Sequence, residues 1–319
     1  MKESEFRLPA NDGTSLFVRA FLPTPSPKAI VQIVHGMAEH SARYARLAQA
    51  LTENGYAVYA DDHRGHGKTA LKREDLGHFA DESGWELVVG DQLSLLDEIN
   101  ARHPDVPVFL LGHSLGSYIA RGAVISLLAR PRARFDRRGS GWAALLLSGT
   151  SHDAPFNYQA SRVLAAAERL RLGRRARSFL LRAFSTDHFN RKIAGPRTPV
   201  DWLSRDPAEV DKYVADPLCG FESSTQLWWD VLTGLIEICT PRNIAKLPHD
   251  LPVYVLAGEA DPLNSRLADI RKLQRAFEAA GHSELTVRVY PGARHELFNE
   301  TNRDEVTRDL ITWLDQQLS

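Results

Sequence analysis

The first half of the chain alternates short apolar runs with longer amphipathic stretches. Runs rich in Val, Ile, Leu and Phe predict strands, and the amphipathic stretches predict helices. The predicted strands span 16–22, 29–35, 56–61, 108–113 and 142–148, and the predicted helices span 44–54, 84–102 and 115–130. Because most of these strands are apolar throughout, both of their faces should be buried. The pattern therefore predicts an α/β fold, with a mostly parallel central sheet flanked by helices.

The pattern changes between residues 151 and 240, where helical stretches and Pro-punctuated loops replace the strands. Aromatic residues gather in this segment, among them Phe156, Phe179, Phe184, Phe189, Trp202, Trp228 and Trp229. The alternation resumes with strands at 253–258 and 285–290 and helices at 265–280 and 303–318. The sequence therefore predicts one core formed by 1–150 and 241–319, interrupted once by a helical insertion over 151–240.

The composition is typical of a globular protein. The chain has 319 residues, of which 43% are hydrophobic and 25% charged, which excludes disordered and collagen-like classes. Cys219 and Cys239 belong to no CxxC or Cys/His motif, so both are expected to be buried thiols. No uncharged apolar stretch of about 18 residues occurs, and the first residues lack the apolar region of a signal peptide. The cytoplasm is therefore the expected location.

The charge is unevenly distributed along the chain. Residues 121–200 contain 16 Lys and Arg but 4 Asp and Glu, a net charge of +12, so the rest of this chain of net charge −1 carries −13. The sequence has no RRM, zinc-finger or helix-turn-helix pattern beside this basic segment, so no nucleic-acid partner is expected. The arginine-rich stretches 130–138 and 169–178 leave two hypotheses open, a solvated surface or peripheral contact with an anionic membrane.

The clearest chemical signal is the G-x-S-x-G motif at residues 112–116. It follows a predicted strand and precedes a predicted helix, which is the setting of a nucleophile elbow. In such a turn the serine backbone is strained, and the flanking glycines avoid collisions with the neighbouring strand and helix. Ser114 is therefore the candidate nucleophile, placed at a helix N-terminus where developing negative charge is favoured. The alternative is that Ser114 only caps the helix.

A serine hydroxyl needs a base and an orienting carboxylate, which should follow it in the order acid, then histidine. Asp261 comes just after the strand at 253–258, and His295 just after the strand at 285–290. Both positions lie at the carboxyl edge of the predicted sheet, where open α/β sheets assemble their sites. Glu259 is the rival acid, but it stands almost within its strand. We therefore predict a triad of Ser114, Asp261 and His295.

Ester cleavage also requires two N–H donors for the carbonyl oxygen as it becomes negative. One should be the N–H of Leu115, the residue after the nucleophile. The other should come from the loop after the strand at 29–35, where we assign it to the N–H of Met37. The glycine before Met37 allows close approach of the backbone. Leu115 and Met37 are thus the predicted oxyanion hole.

Several strings resemble one group of α/β-hydrolases, the monoacylglycerol lipases and lysophospholipases classified with serine aminopeptidases. They are HGMAEHSARY at 35–44, DHRGHGKT at 62–69, GHSLGS at 112–117, GEADP at 258–262 and ARHELFNE at 293–300. The resemblance covers nearly the whole chain. It implies that the insertion over 151–240 forms a cap, or lid, over the catalytic edge. The elbow departs mildly from the usual GHSMGG.

The resemblance also implies a polar corner for a glycerol-like leaving group, which maps to Glu39 and Arg43. The alternative is a salt bridge between these two residues, four apart in the sequence. Relatives often carry a second histidine three residues after the catalytic one, where this chain has Phe298. The predicted head-group corner therefore departs from that of its relatives at Phe298, whereas the triad does not.

The sequence as a whole predicts a serine carboxylic-ester hydrolase acting on monoacylglycerol or lysophospholipid. No metal or organic cofactor is expected, since His35, His40, His63 and His66 lack the spacing of a zinc site. The alternatives are an esterase on short esters, an acyltransferase or aminopeptidase using the same triad, and a non-catalytic binding protein. An aminopeptidase needs carboxylates in the cap to hold an α-amine, and this cap is basic. Oligomeric state cannot be predicted from these residues.

Overall fold

The structure, a computed structural model, describes residues 2–130 and 141–318. Its strands are β1 Lys2–Pro9, β2 Ser15–Leu22, β3 Ala29–Val34, β4 Tyr56–Asp62, β5 Val108–His113, β6 Trp142–Ser148, β7 Val253–Gly258 and β8 Leu285–Tyr290. Its helices are α1 Ala45–Glu53, α2 Gly84–Arg102, α3 Leu115–Leu127, α4 Pro155–Leu172, α5 Phe179–Ala183, α6 Thr186–Arg191, α7 Pro207–Ala215, α8 Thr225–Ile238, α9 Pro241–Ile244, α10 Ala268–Ala279 and α11 Arg303–Gln316.

The eight strands form one sheet in the order β1-β2-β4-β3-β5-β6-β7-β8. The strands from β4 to β8 in this order are parallel, and β2 pairs antiparallel with both β4 and β1. The predicted α/β class and the mostly parallel sheet are therefore confirmed. Strand β1 was not predicted, because its sequence KESEFRLP is largely polar and exposed. It pairs with β2 from Lys2 opposite Leu22 to Pro9 opposite Ser15, at the edge of the sheet.

The sheet divides the apolar core into two layers. Side chains along β4 alternate between them, with Ala57 and Tyr59 on one face and Tyr56, Val58 and Ala60 on the other. The larger layer includes buried residues of α2, α3, α8 and α10, and the smaller one includes those of α1 and α11. Both faces of the central strands are covered by helices, which explains why these strands are apolar throughout.

A helical segment, residues 149–252, connects β6 to β7 and contains α4 to α9. Within it α4 packs along α8, and α8 packs on α2 and α3 beside the sheet. Leu227, Val231 and Ile238 of α8 belong to the larger core layer. The helical segment is therefore anchored to the core by α8. The division of the chain into a core and a cap over 151–240 stays a prediction.

Two further expectations concern the cysteines and the membrane. Cys219 and Cys239 are both buried free thiols, as predicted. Among the helices of the described residues, none combines the length and apolarity needed to cross a membrane. Most of the arginine-rich stretch 130–138 lies outside the described residues.

Candidate active site

Ser114 lies at the sharp turn between β5 and α3. Its backbone has φ 52° and ψ −122°, which is strained for a residue with a side chain. The turn is held by a hydrogen bond of 2.9 Å from the Ser114 N–H to the Ser148 carbonyl. The Ser117 hydroxyl also donates to the Ser114 carbonyl, at 2.6 Å. The strand, turn and helix around the predicted nucleophile are therefore present.

The two glycines of the turn are required by space. A Cβ at Gly112 would lie 2.3 Å from the carbonyl oxygen of Gly116. A Cβ at Gly116 would lie 1.9 Å from the carbonyl oxygen of Val34 in β3. Both distances are far below van der Waals contact, so a side chain would displace backbone. The close approach of α3 to β3 fixes where Ser114 stands relative to the loop after β3.

Asp261 and His295 form a buried pair at the ends of β7 and β8. Asp261 Oδ2 lies 2.9 Å from His295 Nδ1, and both side chains are almost fully buried. The other oxygen, Asp261 Oδ1, accepts the N–H of Leu263 at 2.9 Å. The rival acid Glu259 instead accepts the N–H of Gly292 at 3.0 Å. Because a carboxylate only accepts, the hydrogen-bond network places the imidazole proton on Nδ1 and leaves Nε2 as the basic nitrogen.

His295 Nε2 is buried and has no hydrogen-bond partner within residues 2–130 and 141–318. No hydrogen bond joins it to the Ser114 hydroxyl in this structure, and such contacts often tighten only when substrate binds. The ring lies against Trp202 and His113, with centroids 4.7 and 4.9 Å away. The pair therefore supplies an oriented imidazole with one nitrogen free for proton transfer.

The charges around His295 favour its protonated form. Burial alone would lower its pKa, but the charge and hydrogen bond of Asp261, with the charges of Glu296 and Glu39, raise the pKa above its ordinary value. Neighbouring His113 behaves oppositely, because burial and the nearby His295 lower its pKa to about 4. The surroundings of His295 therefore favour its protonated form, while His113 stays neutral beside it.

The N–H groups of Met37 and Leu115 are both available. Neither donates a hydrogen bond to any of the described residues: Met37 lies in the loop after β3, and Leu115 is the first residue of α3. Met37 and Leu115 line the same cavity as Ser114 and His295. Two free N–H donors that line the cavity together with Ser114 are compatible with an oxyanion hole, and that role stays a prediction.

The cavity has a volume of about 990 Å³ and lies between the sheet edge and the helical segment. Apolar side chains of the helical segment form much of its wall: Leu164, Leu181, Phe184, Phe189, Trp202, Trp228, Val231, Leu232 and Leu235. Among the seven aromatic residues noted in the sequence, Phe156, Phe179 and Trp229 do not line it. Asp261 also lies outside the cavity, behind His295. The space and its lining suit a long apolar group attached to a reacting carbonyl.

The predicted polar corner is organised as a salt bridge. Arg43 Nη1 donates to Glu39 Oε2 at 2.6 Å, so the ion-pair alternative is present in the structure. Glu39 lines the cavity, whereas Arg43 does not. Arg43 also binds Glu296 through two hydrogen bonds of 2.6 Å. A contact of Glu39 or Arg43 with substrate stays a prediction.

Sequence reasoning missed Glu296, His113 and Trp202 as neighbours of the candidate triad. Only Glu296 left a signal, as an acidic residue directly after His295. Burial raises the pKa of Glu296, but the adjacent Arg43 guanidinium outweighs this and lowers the pKa to about 2. Its carboxylate therefore remains charged at neutral pH, one residue from the imidazole.

Among the described residues, one group has the ligand types of a metal site: His40, Asp216 and Cys219, whose candidate atoms lie within 4.8 Å of one another. His40 Nε2 and Asp216 Oδ2 already form a hydrogen bond of 2.9 Å. Burial raises the pKa of the Cys219 thiol, which disfavours the thiolate that a metal needs. The group is therefore best described as a hydrogen-bonded pair of His40 and Asp216 beside a buried thiol.

The fold and the site together define a class of protein. A strained serine turn after β5, facing a carboxylate-held histidine at the same sheet edge, is characteristic of α/β-hydrolases. The chain belongs to the serine aminopeptidase S33 family, whose sequence model matches residues 25–302.

The chain is similar to several known proteins over nearly its full length. It is 30% identical to a monoglyceride lipase of Rattus norvegicus, covering 97% of this chain and 89% of that protein. It is also 30% identical to a monoacylglycerol lipase of Mycolicibacterium smegmatis, covering 98% and 96%. A thermostable carboxyl esterase from Bacillus coagulans, solved in complex with glycerol, superposes with a TM-score of 0.88 at 28% identity over all of both chains.

Proposed function

We propose that this protein hydrolyses monoacylglycerol, releasing a fatty acid and glycerol through an acyl-enzyme intermediate. The observation that carries the proposal is the buried Asp261–His295 pair, with Nε2 free, beside the cavity that Ser114 lines. The near full-length similarity to monoacylglycerol lipases supports this ester as the substrate.

In the proposed reaction, Ser114 Oγ attacks the ester carbonyl while its proton passes to His295 Nε2. The new oxyanion accepts hydrogen bonds from the N–H groups of Met37 and Leu115. The carbon–oxygen bond to glycerol then breaks, and His295 returns the proton to the leaving oxygen. Asp261 holds the imidazole in its reactive tautomer throughout. A water molecule that His295 deprotonates then attacks the acyl carbonyl, the bond to Ser114 Oγ breaks, and His295 returns the proton to Ser114 Oγ as the fatty acid leaves.

The acyl chain is proposed to lie along the apolar wall of the helical segment. Burying each CH₂ group gains about 0.8 kcal/mol, so a long chain benefits from such a wall more than a short one. We propose that residues 151–240 act as the cap over this cavity. The cap supplies Leu181, Phe189 and Trp228, among others, to the lining.

Aminopeptidase activity is disfavoured by the charges of the cavity. Six carboxylates line it, and each is paired with Lys or Arg: Glu39 and Glu296 with Arg43, Asp153 and Asp269 with Lys272, and Asp187 and Glu222 with Arg182. A free α-amine of a peptide would have to share one of these carboxylates with the cation that already neutralises its charge. An ester substrate needs no such partner.

We propose that the helical segment also contacts the lipid surface, chiefly through apolar side chains. Phe156, Leu170 and Phe179 are strongly exposed, and Leu170 has 90% of its surface accessible. The nearby arginines are less available than the sequence suggested, because Arg174 pairs with Glu82 and Arg175 with Asp75 and Asp81. Attraction to anionic lipid is therefore proposed as a smaller contribution than apolar contact.

The function is tested by fatty-acid release from monoacylglycerol and from lysophosphatidylcholine with the same acyl chain, with Ser114→Ala protein as the blank. We expect turnover of monoacylglycerol to exceed that of the lysophospholipid, and Ser114→Ala to be inactive on both. A preference for the lysophospholipid would replace the proposed head group. Activity on neither, with activity on short soluble esters, would refute the lipase proposal but keep the esterase chemistry.

A further inference from the structure

One arginine connects the two loops that carry the catalytic groups. We propose that Arg43 is a positioning residue, which ties the loop after β3, with its Met37 N–H, to the loop after β8, with His295. It does so through one carboxylate on each side, Glu39 and Glu296. The inference rests on the proposed function, because it assigns roles within the same site.

On the β3 side, the peptide groups around Gly36 are held from two directions. Glu39 Oε1 accepts the N–H of Gly36 at 2.5 Å and the hydroxyl of Tyr44 at 2.8 Å. The Gly36 carbonyl accepts a hydrogen bond of 2.8 Å from His35 Nδ1. His35 Nε2 accepts the His63 N–H at 3.0 Å, so the ring proton must be on Nδ1.

This arrangement sets the direction of the predicted oxyanion donor. The Gly36 carbonyl and the Met37 N–H belong to one planar peptide group and point in opposite directions. Fixing the Gly36 carbonyl toward His35 therefore fixes the Met37 N–H away from it. Glu39 holds the preceding peptide group, and Arg43 Nη1 holds the other oxygen of Glu39 at 2.6 Å.

On the β8 side, Arg43 binds the residue that follows His295. Its Nη1 and Nη2 donate to the two oxygens of Glu296, each at 2.6 Å. Asn299 Nδ2 donates to Glu296 Oε2 at 3.0 Å, and the Glu296 N–H donates to the Leu203 carbonyl at 2.7 Å. Because Glu296 and His295 share a peptide bond, the backbone at His295 cannot shift freely while this fork is in place.

The environment of Arg43 fits positioning better than contact with substrate. The guanidinium is occupied by two carboxylates and lies over the Tyr213 ring, 4.8 Å from its centroid. The side chains of Arg43, Glu39 and Glu296 are 11%, 4% and 6% exposed. Arg43 is also absent from the cavity lining. Removing it would leave two buried carboxylates facing each other without a cation.

The test compares two substrates with the same acyl chain. One is a monoacylglycerol, and the other is the 4-nitrophenyl ester of the same fatty acid, which contains no glycerol. For Arg43→Gln and Arg43→Lys we expect kcat to fall by the same factor on both esters, roughly 10- to 100-fold, because small misplacements of catalytic groups cost about this much. KM should change by less than about threefold. A loss confined to monoacylglycerol would overturn the proposal and identify Arg43 as a glycerol contact.

Arg64→Gln is the matched control. Arg64 is also buried, with 3% of its side chain exposed, and makes a fork of 2.7 and 2.8 Å with Asp91, but neither residue lines the cavity. We expect it to lower the midpoint of thermal unfolding while leaving kcat within about threefold of wild type. If Arg64→Gln reduces kcat as much as Arg43→Gln, general destabilisation explains the loss and the proposal fails.

Glu296→Gln gives a second readout, the pH profile of kcat/KM. A purely structural role of the Arg43 group would leave this profile unchanged. The groups facing His295 are Asp261, Glu296, Glu39 and His113, and the carboxylate of Glu296 raises the His295 pKa. The substitution should therefore move the acid limb of kcat/KM to lower pH and reduce kcat on both esters. An unchanged pH profile and an unchanged kcat would overturn the proposal. This result can be obtained even if the Arg43 variants fail to fold. Failure of the proposed function is distinguishable, because wild-type protein would then cleave neither ester.

Discussion

The sheet edge and the helical segment are packed in different ways. At the sheet edge, an added Cβ at Gly112 or Gly116 would lie 2.3 or 1.9 Å from a backbone oxygen, and one at Gly36 would lie 2.8 Å from Glu39 Oε1. In the helical segment, Phe156 and Leu170 stand largely in solvent, and only some of the aromatic residues reach the cavity. The candidate reacting groups thus lie on tightly packed elements, whereas the proposed substrate-selecting surface lies on a segment with exposed apolar side chains.

The ionic contacts differ in the same way. Arg43, Glu39 and Glu296 form a buried group in which both terminal guanidinium nitrogens and all four carboxylate oxygens have hydrogen-bond partners. Arg174 and Arg175 form exposed pairs with Glu82, Asp75 and Asp81, which hold the helical segment against the loop at 73–82. Exposed pairs of this kind contribute little individually. The two regions should therefore respond differently to substitution, and the predictions below compare those responses.

The largest effect is expected at Asp261. Asp261→Asn should lower kcat by roughly 10³- to 10⁴-fold, because the amide can stabilise the wrong tautomer of His295.

In the wild type, activity requires neutral His295, and its raised pKa places the acid limb of the kcat/KM profile above 6.5. Measuring this profile from pH 5 to 9 shows whether the pKa of His295 is raised or lowered. An acid limb below 6.5 would contradict the assigned electrostatics of the pair.

The next effect is on stability. Gly116→Ala should lower the free energy of unfolding by at least about 3 kcal/mol, because its Cβ would overlap the Val34 carbonyl. Gly90→Ala in α2 is the control, since a Cβ there meets nothing within 4 Å, and it should stabilise by roughly 0.5 kcal/mol. Urea unfolding measures both. Equal effects at the two sites would show that the elbow is not tightly constrained.

A smaller effect is expected in the cavity wall of the helical segment. Trp228→Ala should reduce kcat/KM for a long-chain monoacylglycerol by roughly 5- to 30-fold, since it removes apolar contact with the acyl chain. The same variant should retain kcat/KM for an acetyl ester within about twofold. A parallel loss on both esters would indicate that the helical segment supports the reacting groups as well as the acyl chain.

The smallest effect concerns the lipid surface. Leu170→Asp should weaken co-sedimentation with phosphatidylcholine vesicles several-fold, by placing a charge on the most exposed apolar position of α4. Leu71→Asp is the matched control, because Leu71 is 77% exposed but lies outside the helical segment. Adding phosphatidylserine should strengthen binding only modestly, given the paired arginines. Equal loss in both variants would refute docking through the helical segment.

The sequence predicted most of the fold where the local pattern was strong. Strands β5, β6, β7 and β8 and helix α2 have the predicted bounds. Strand β1 was not predicted, because an exposed edge strand needs no apolar run. The helix predicted from residue 265 begins at Ala268, because Ser265, Arg266 and Leu267 have φ of 52°, 54° and 68°, which no α-helix contains.

The candidate site was predictable as far as strand ends determine it. Asp261 and His295 follow adjacent parallel strands, so their approach to 2.9 Å follows from chain order and topology. The Arg43–Glu296 fork joins residues 253 positions apart, across loops whose course no local pattern specifies. For the same reason, the sequence did not predict the ion pairs between the arginines around residue 174 and the acidic residues near residue 80. Sequence patterns indicated the basic segment but not its partners.

The central claim is that Ser114 carries the acyl group, and one measurement tests it directly. The protein is mixed with a long-chain monoacylglycerol, quenched in acid within the first turnovers, digested and analysed by mass spectrometry. The account predicts an acyl ester on the peptide containing Ser114, with no such adduct in Ser114→Ala protein and no fatty-acid release by it. An acyl group on another residue, or turnover retained by Ser114→Ala, would contradict the account.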